Sequence, residues 1–314
     1  MLFRTGLLLA FVVIGSLAAT IHPVAAWDSE SANRPTCLLN PEHLALSLTM
    51  YLTSHFTASP TEGTAPLEVD FTDQSRGRAE TWFWVFGDTQ TSHLQNPSHT
   101  YRDPGIYSVR MTASNDLGSD AKHKRAYIWA GFPDVSPEHW AFRPVLLCAA
   151  GGIVSAYPDD LYHPTWEVSR DQMAVFISRA LTGGDDNVPD GPTTATFDDV
   201  PTDHWAYKYV EYCAAEGIVQ GFDPVTYGPT FTLTRDAMAV FISRALAGGD
   251  DNVPDGPAEA TFDDVPTDNW AYRYVEYCAA DGIVKGYDPL TYRPTLTLSR
   301  DQMAVFVSRA LALP

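Results

Sequence analysis

The sequence predicts two fold classes in series, an all-β sandwich followed by a mostly α-helical set of three repeats. Three observations predict them. The chain repeats itself with a period of 65 residues: Phe197–Leu246 and Phe262–Leu311 agree at 39 of 50 positions, and Phe132–Leu181 follows the same frame with more divergence. Each repeat carries two stretches with apolar residues at helical spacing, separated by a turn-rich loop. Residues 58–130 instead show short runs of alternating apolar residues, Leu67-Val69-Phe71 and Tyr107-Val109-Met111-Ala113, divided by polar turns such as "SHLQNPSHTY".

Taken from the N-terminus, the first element expected is an export signal over residues 1–26. Arg4 is followed by an apolar run from Leu7 to Ala19, and the small residues Val24 and Ala26 precede a cleavage point at Trp27. The run is too short for a confident membrane span, and nothing later approaches the ~20 apolar residues a spanning helix needs. The expectation is therefore a secreted protein with no membrane span after cleavage. Residues 27–57 give no clear signal beyond a short apolar stretch, Leu44 to Leu52. In the sandwich region, "TWFWVFGD" reads as an aromatic strand; alternation buries one of Trp82 and Trp84, and Trp84 is assigned to the core with Trp82 left as the surface candidate.

Each repeat reads as helix, extended loop, helix. In the second copy Asp203 is expected to cap a helix whose inward residues Trp205, Tyr209 and Cys213 recur every four, and Gly217 ends it. Ser169, Thr234 and Ser299 are expected to cap the second helices, with Gln172 and Gln302 completing a capping box that Ala237 cannot. Cys148, Cys213 and Cys278 occupy one equivalent position 65 residues apart, and with Cys37 alone they make poor disulfide partners; they are read as small buried core residues. The spacers "TGGDDNVPDGPTTAT" and "AGGDDNVPDGPAEAT" offer oxygen donors without the spacing of a calcium loop and are read as solvated linkers.

Charge narrows the function. With 39 Asp and Glu against 20 Lys and Arg the formal net charge is -19, which repels phosphate backbones and makes nucleic acid an improbable partner. No His-Glu-x-x-His, Gly-x-Ser-x-Gly or phosphate-binding loop is present, so no catalytic residue, metal ligand or cofactor is assigned. One feature opposes elementary expectation. Arg170, Arg235 and Arg300 open helices, where the helix dipole disfavours a cation, and the oddity is copied three times. Asp171, Asp236 and Asp301 offset that penalty, whereas Arg179, Arg244 and Arg309 fall in the last turn, where the dipole favours them.

The stretch "FDDVPTDHWAYKYVEYCAAEGIVQGFDPVTYGPTFTLTRDAMAVF" resembles the S-layer homology (SLH) module, through Phe-x-Asp-Val, His-Trp-Ala, Gly-Ile-Val-x-Gly-aromatic and the Thr-Arg helix start. Three copies span 132–181, 197–246 and 262–311. "WVFGDTQTSHLQNPSHTYRDPGIYSVRMTASNDLGSD" resembles a polycystic kidney disease (PKD) domain, an immunoglobulin-like sandwich, although Thr89 replaces the usual glycine. The SLH resemblance implies a pseudo-threefold unit around a central helix bundle, with grooves that bind cell-wall polysaccharide, often one bearing pyruvate ketals. The glycan-binding residues it implies are Arg170, Arg235 and Arg300, with Asp134, Asp199 and Asp264 of the opening motif and Trp140, Trp205 and Trp270. Gly221 and Gly286 join them, and Ala156 at the equivalent place in repeat one predicts poorer access there. An arginine at a helix start, near unpaired N–H groups, can grip a ketal carboxylate.

The reading that follows is a secreted, non-catalytic surface anchor. Its partner is a secondary wall polysaccharide or peptidoglycan-linked glycan, and its sandwich is a spacer or a display for a protein or carbohydrate partner. The alternatives are a self-assembling surface-layer or matrix protein and a non-catalytic subunit of a secreted polysaccharide-degrading complex.

Overall fold

The computed structural model describes residues 51–313; the expected export signal and most of segment 27–57 lie outside them. Eight strands build the sandwich: β1 Phe56–Ser59, β2 Glu62–Thr64, β3 Leu67–Asp73, β4 Thr81–Val85, β5 Thr91–Ser92, β6 Ser98–Tyr101, β7 Gly105–Asn115 and β8 Gly118–Gly131. They form a three-stranded sheet, β1-β3-β6, facing a five-stranded sheet, β2-β8-β7-β4-β5. The alternation in β3 works as expected, with Leu67, Val69 and Phe71 buried between exposed neighbours.

β1 starts at Phe56, inside the stretch that gave no clear signal. Its four residues are too few to show a period, and what holds them is contact: the fully buried Phe56 ring lies 5.1 Å from Trp84, edge to face. Trp84 is fully buried and donates its indole N–H to the Leu94 carbonyl at 2.9 Å. Trp82 is half-buried and donates to the Asp73 carboxylate at 2.8 Å, so the exposed aromatic on this strand is Phe83. The final strand runs straight into repeat one. There Arg143 stacks over Trp129, 4.8 Å from the ring centre, and reaches Glu62 at 3.0 Å.

Two helices occur per repeat: α1 Phe142–Ala150 and α2 Arg170–Thr182, α3 Tyr207–Ala215 and α4 Arg235–Ala247, α5 Tyr272–Ala280 and α6 Arg300–Ala310. The first helix of each packs on the second helix of the preceding repeat. The Cys213 sulfur meets the Ala174 carbonyl at 3.6 Å and Cys278 meets Ala239 at 3.6 Å. Cys148 meets Ala304 at 3.4 Å, so repeat one packs on repeat three and the array closes into a ring. At its centre Val168 N–H donates to Leu298, Leu298 to Leu233 and Leu233 to Val168, at 2.9, 2.8 and 2.7 Å. One continuous apolar core runs through all three repeats. The three cysteines are buried and free, and burial pushes the thiols of Cys148 and Cys278 up to about 12.

Three local expectations are corrected or extended. The helix of repeat two begins at Tyr207, so Asp203 does not cap it and Trp205 precedes it in a turn, exposed instead of facing inward. The turn is held by His204, whose Nδ1 accepts the Ala206 N–H at 3.2 Å; His139 does the same for Ala141, and Asn269 Oδ1 for Ala271. The second helices are capped chiefly through their aspartates. The hydroxyls of Ser169, Thr234 and Ser299 donate to Asp171, Asp236 and Asp301, and the same carboxylate oxygens accept the N–H of residues 172, 237 and 302 at 2.7 Å. In repeat one the expected capping box is present, the Ser169 side chain meeting the Gln172 N–H and the Gln172 side chain accepting the Ser169 N–H at 3.4 Å, whereas Gln302 Oε1 is buried without a partner among the described residues. Lastly, the spacers are pinned as well as solvated: Asp185 meets Arg179 at 2.9 Å, and Asp250 meets Arg244 at 2.8 Å and Arg273 at 2.9 Å.

Candidate functional site

Ring closure makes three related grooves, each between a repeat's loop and its own second helix. Groove one, ≈ 230 Å³, has Tyr157, Gln172 and Arg179 from repeat one, Trp205 from repeat two and Arg300 from repeat three. Groove two, ≈ 260 Å³, has Gly221, Phe222 and Arg244 from repeat two, Trp270 from repeat three and Arg170 from repeat one. Groove three, ≈ 260 Å³, has Lys285, Gly286, Tyr287, Gln302 and Arg309 from repeat three, Trp140 from repeat one and Arg235 from repeat two. Every groove thus draws on all three repeats.

The helix-opening arginines form the cationic wall of these grooves. Arg235 and Arg300 are 4% and 3% exposed. Each guanidinium reaches into the next repeat around the ring and is held there by two backbone carbonyls. Arg170 donates to Tyr227 and Gln220, Arg235 to Tyr292 and Lys285, all at 3.0 Å; Arg300 donates to Tyr162 at 2.8 Å and Ser155 at 3.3 Å. Each also lies against three aromatic rings, for Arg235 those of Tyr287, Tyr292 and Phe306 at 5.0, 4.4 and 5.4 Å. Burial lowers the pKa of Arg170. Among the described residues no carboxylate comes within ion-pair distance of any of the three. A guanidinium fixed, desolvated and unpaired is poised for an anion, because the cost of leaving water is already borne by the fold.

The expected contribution of the helix N-termini is corrected. The first helical N–H groups are not available: Arg170 and Asp171 donate theirs to Phe231 and Pro229, Arg235 and Asp236 to Leu296 and Pro294, and Arg300 and Asp301 to Trp166 and Pro164. The neighbouring repeat's loop fills the helix N-terminus, which leaves the guanidinium to act alone.

Asp134, Asp199 and Asp264 do not line the grooves. Both oxygens of each are taken by two successive loop N–H groups, Tyr162 and His163, Tyr227 and Gly228, and Tyr292 and Arg293, at 2.6–2.9 Å. They hold the loop whose carbonyls in turn hold the arginine. Gly221 and Gly286 do line grooves, but the loop itself requires them: a Cβ would stand 2.3 Å from the Asp223 oxygen or 2.2 Å from the Asp288 oxygen. In repeat one Pro158 replaces that aspartate, and Ala156 coexists with an open groove. Trp140, Trp205 and Trp270 are 59%, 59% and 63% exposed, each on the wall of a groove.

Sequence reasoning missed Arg179, Arg244 and Arg309, whose last-turn positions the helix dipole already accounts for, and Lys285. The available signal was global: of 11 Lys and Arg in residues 131–314, seven line the grooves, and none of the 27 Asp and Glu does. The grooves are thus positive windows in an acidic surface.

Models of known families match at the same places, the PKD domain over residues 53–130 and the S-layer homology domain over 131–174, 196–239 and 261–304. Among curated proteins, a cellulosome-anchoring protein of Acetivibrio thermocellus is 26% identical over 158 residues, 50% of this chain and 35% of the relative. S-layer protein EA1 of Bacillus anthracis is 30% identical over 119 residues, 38% of this chain and 13% of the relative. The chain therefore spans about a third or less of the length of these relatives. The PKD1 domain of the Vibrio cholerae metalloprotease PrtV is 26% identical across 24% of this chain and 95% of that one, with a TM-score of 0.22. By the family matches the chain carries a PKD domain followed by three S-layer homology domains.

Proposed function

We propose that this protein is a non-catalytic cell-surface anchor whose three SLH domains bind an anionic cell-wall polysaccharide. The observation that carries the reading is the set of arginines without carboxylate partners among the described residues, Arg235 and Arg300 buried and Arg170 half-buried, each in a groove free of acidic residues. A carboxylate such as that of a pyruvate ketal would meet the guanidinium edge left free by the two carbonyls, forming charge-assisted bonds in a partly dry site. The exposed face of Trp140, Trp205 or Trp270 would cover the sugar ring. Asp134, Asp199 and Asp264 act one step back as positioning residues. The resemblance of half the chain to an anchoring protein and of a smaller part to a surface-layer protein supports a location at the wall. The sandwich, joined to repeat one through Arg143, Trp129 and Glu62, would be held at a fixed angle as a spacer or a display for a protein or carbohydrate partner.

The test is co-sedimentation of the full chain with isolated wall material, before and after chemical removal of its secondary polymer, alongside the triple variant Arg170→Ala/Arg235→Ala/Arg300→Ala. Loss of binding with the polymer and with the folded variant supports the anchor. Equal pelleting in every arm, or concentration-dependent pelleting with no wall present, would sink it in favour of self-assembly.

A further inference from the structure

The three grooves differ at one pair of lining residues. In groove one the Gln172 amide donates to the Tyr157 hydroxyl at 3.2 Å, and in groove three the Gln302 amide donates to the Tyr287 hydroxyl at 3.5 Å. Neither tyrosine hydroxyl donates to an acceptor among the described residues. Groove two carries Phe222 and Ala237 at the same two repeat positions. Repeats two and three agree at 39 of 50 positions, yet here both members of the pair change together. Removing both partners strands no polar group, so the fold tolerates either pair. It does not require the apolar one, because Phe222 is 63% exposed and a hydroxyl there would keep its water. The apolar character extends to the residue that Phe222 packs on, Phe231, with ring centres 5.4 Å apart. Gly228 makes room for that contact: a Cβ there would stand 2.6 Å from the Phe222 ring and 3.0 Å from the Phe231 ring. Repeats one and three place the polar His163 and Arg293 at that position, against Tyr157 at 5.3 Å and Tyr287 at 4.5 Å.

We propose that the grooves select different sugar positions: grooves one and three take a free hydroxyl, which accepts the tyrosine O–H, and groove two takes a position without a hydroxyl, as in a deoxy sugar, packed on Phe222 and Ala237. This rests on the reading of the grooves as glycan sites and adds the chemistry of the substituent beside each arginine. The pair lies within one sugar's reach of the guanidinium: Arg300 stands 4.7 Å from the Tyr157 ring centre, Arg170 4.9 Å from Phe222 and Arg235 5.0 Å from Tyr287. A hydroxyl laid against Phe222 and Ala237 gives up water and finds no partner, whereas a CH group laid against the tyrosine and glutamine strands the tyrosine donor. A polymer whose repeating unit carries both kinds of position therefore suits all three grooves, and a uniform one suits at most two.

The probes are a pyruvate-ketal hexoside and its monodeoxy analogues, each lacking one hydroxyl. They are titrated into the full chain and followed by the indole resonances of Trp205 for groove one, Trp270 for groove two and Trp140 for groove three. The expected result is that one deoxygenation weakens binding about fivefold at Trp205 and Trp140, while binding at Trp270 is equal or up to about threefold tighter. Two reciprocal double variants should move the preference. Tyr287→Phe/Gln302→Ala should erase the loss at Trp140, and Phe222→Tyr/Ala237→Gln should create it at Trp270. Each pair is one that a sister repeat already carries, and thermal unfolding checks that the fold is kept. If every deoxygenation acts equally in the three grooves, or the preference stays where it was in a folded variant, this inference falls and the anchor reading stands. If no ketal sugar moves any of the three indoles, the inference falls as well, and co-sedimentation with wall material decides the anchor reading by itself.

Discussion

Truncating the three groove tryptophans together, Trp140→Ala/Trp205→Ala/Trp270→Ala, separates recognition from folding. A core tryptophan cut to alanine costs roughly 3–5 kcal/mol, so three would cost about 9–15 kcal/mol, comparable with the whole stability of a domain. Here the rings are 59–63% exposed, and among the described residues none of the three indole N–H groups makes a hydrogen bond. Each truncation then lies near the surface range of about 0.5 kcal/mol, and the triple variant should lose no more than about 3–6 °C in melting temperature. Binding behaves otherwise. A sugar ring covering about 50 Å² of indole gains ~1 kcal/mol at ~25 cal/mol per Å², so each groove should weaken about fivefold. Because a polymer can engage several grooves at once, pelleting with wall material should fall further than any single groove suggests. The assay is thermal unfolding beside co-sedimentation. A fall in melting temperature above about 15 °C, or unchanged pelleting by a well-folded variant, would refute the assignment of these residues to the ligand.

Other outcomes follow from the same geometry. Asp264→Ala removes the acceptor of two loop N–H bonds, at 2.8 and 2.6 Å, and should cost about 2 kcal/mol in thermal or urea unfolding, with weaker binding of a carboxylate ligand at Arg235; an unchanged melting temperature would contradict the clamp. The Asp185 and Asp250 carboxyls are held below the usual range, Asp185 chiefly by the hydrogen bond from Tyr209, and Asp250 by bonds from Tyr274 and Arg244 that outweigh its burial. Their contribution is therefore present above the ordinary aspartate value of about 3.9 and lost as pH falls through the lower folded values. Asp185→Asn/Asp250→Asn should lower stability at pH 7 and flatten the acid limb of a melting curve series, whereas parallel curves would contradict it. Cys148 and Cys278, with thiols pushed up to about 12, should resist iodoacetamide at pH 8 in the folded chain and label fully on unfolding, as mass mapping of the peptides would show; labelling under native conditions would mean that the ring opens.

Period and alternation made the two fold classes legible. A 65-residue repeat needs no structure to be seen, and β3 shows its buried face in Leu67, Val69 and Phe71. Less legible was anything set by a contact distant along the chain. Phe56 gave no pattern because its burial comes from Trp84, 28 positions away. Asp134, Asp199 and Asp264 were identified as important, yet whether a carboxylate binds a sugar or two N–H groups depends on where a loop 28 residues later passes. At the second helices local chemistry was legible in part: the capping box of Ser169 and Gln172 forms as its spacing indicates, and Asp171, only two residues after the cap, adds a charged acceptor that the spacing does not announce.

The tryptophans show most clearly why the site had to be seen folded. An aromatic at a helix entry normally belongs to the core, and the spacing of Trp205 with Tyr209 and Cys213 points there. One turn decides otherwise. His204 accepts the Ala206 N–H, the helix starts at Tyr207, and the indole leaves the apolar stripe for the groove of the preceding repeat. Asn269 performs the same acceptor role in repeat three, which explains why an imidazole and an amide can share one position: the turn needs a lone pair and no proton. Since Trp205 completes a groove whose guanidinium comes from Arg300, the groove exists only once the third repeat has closed on the first. A single repeat carries residues of the proposed site without containing it, and the three central hydrogen bonds of Val168, Leu233 and Leu298 convert three incomplete walls into three grooves.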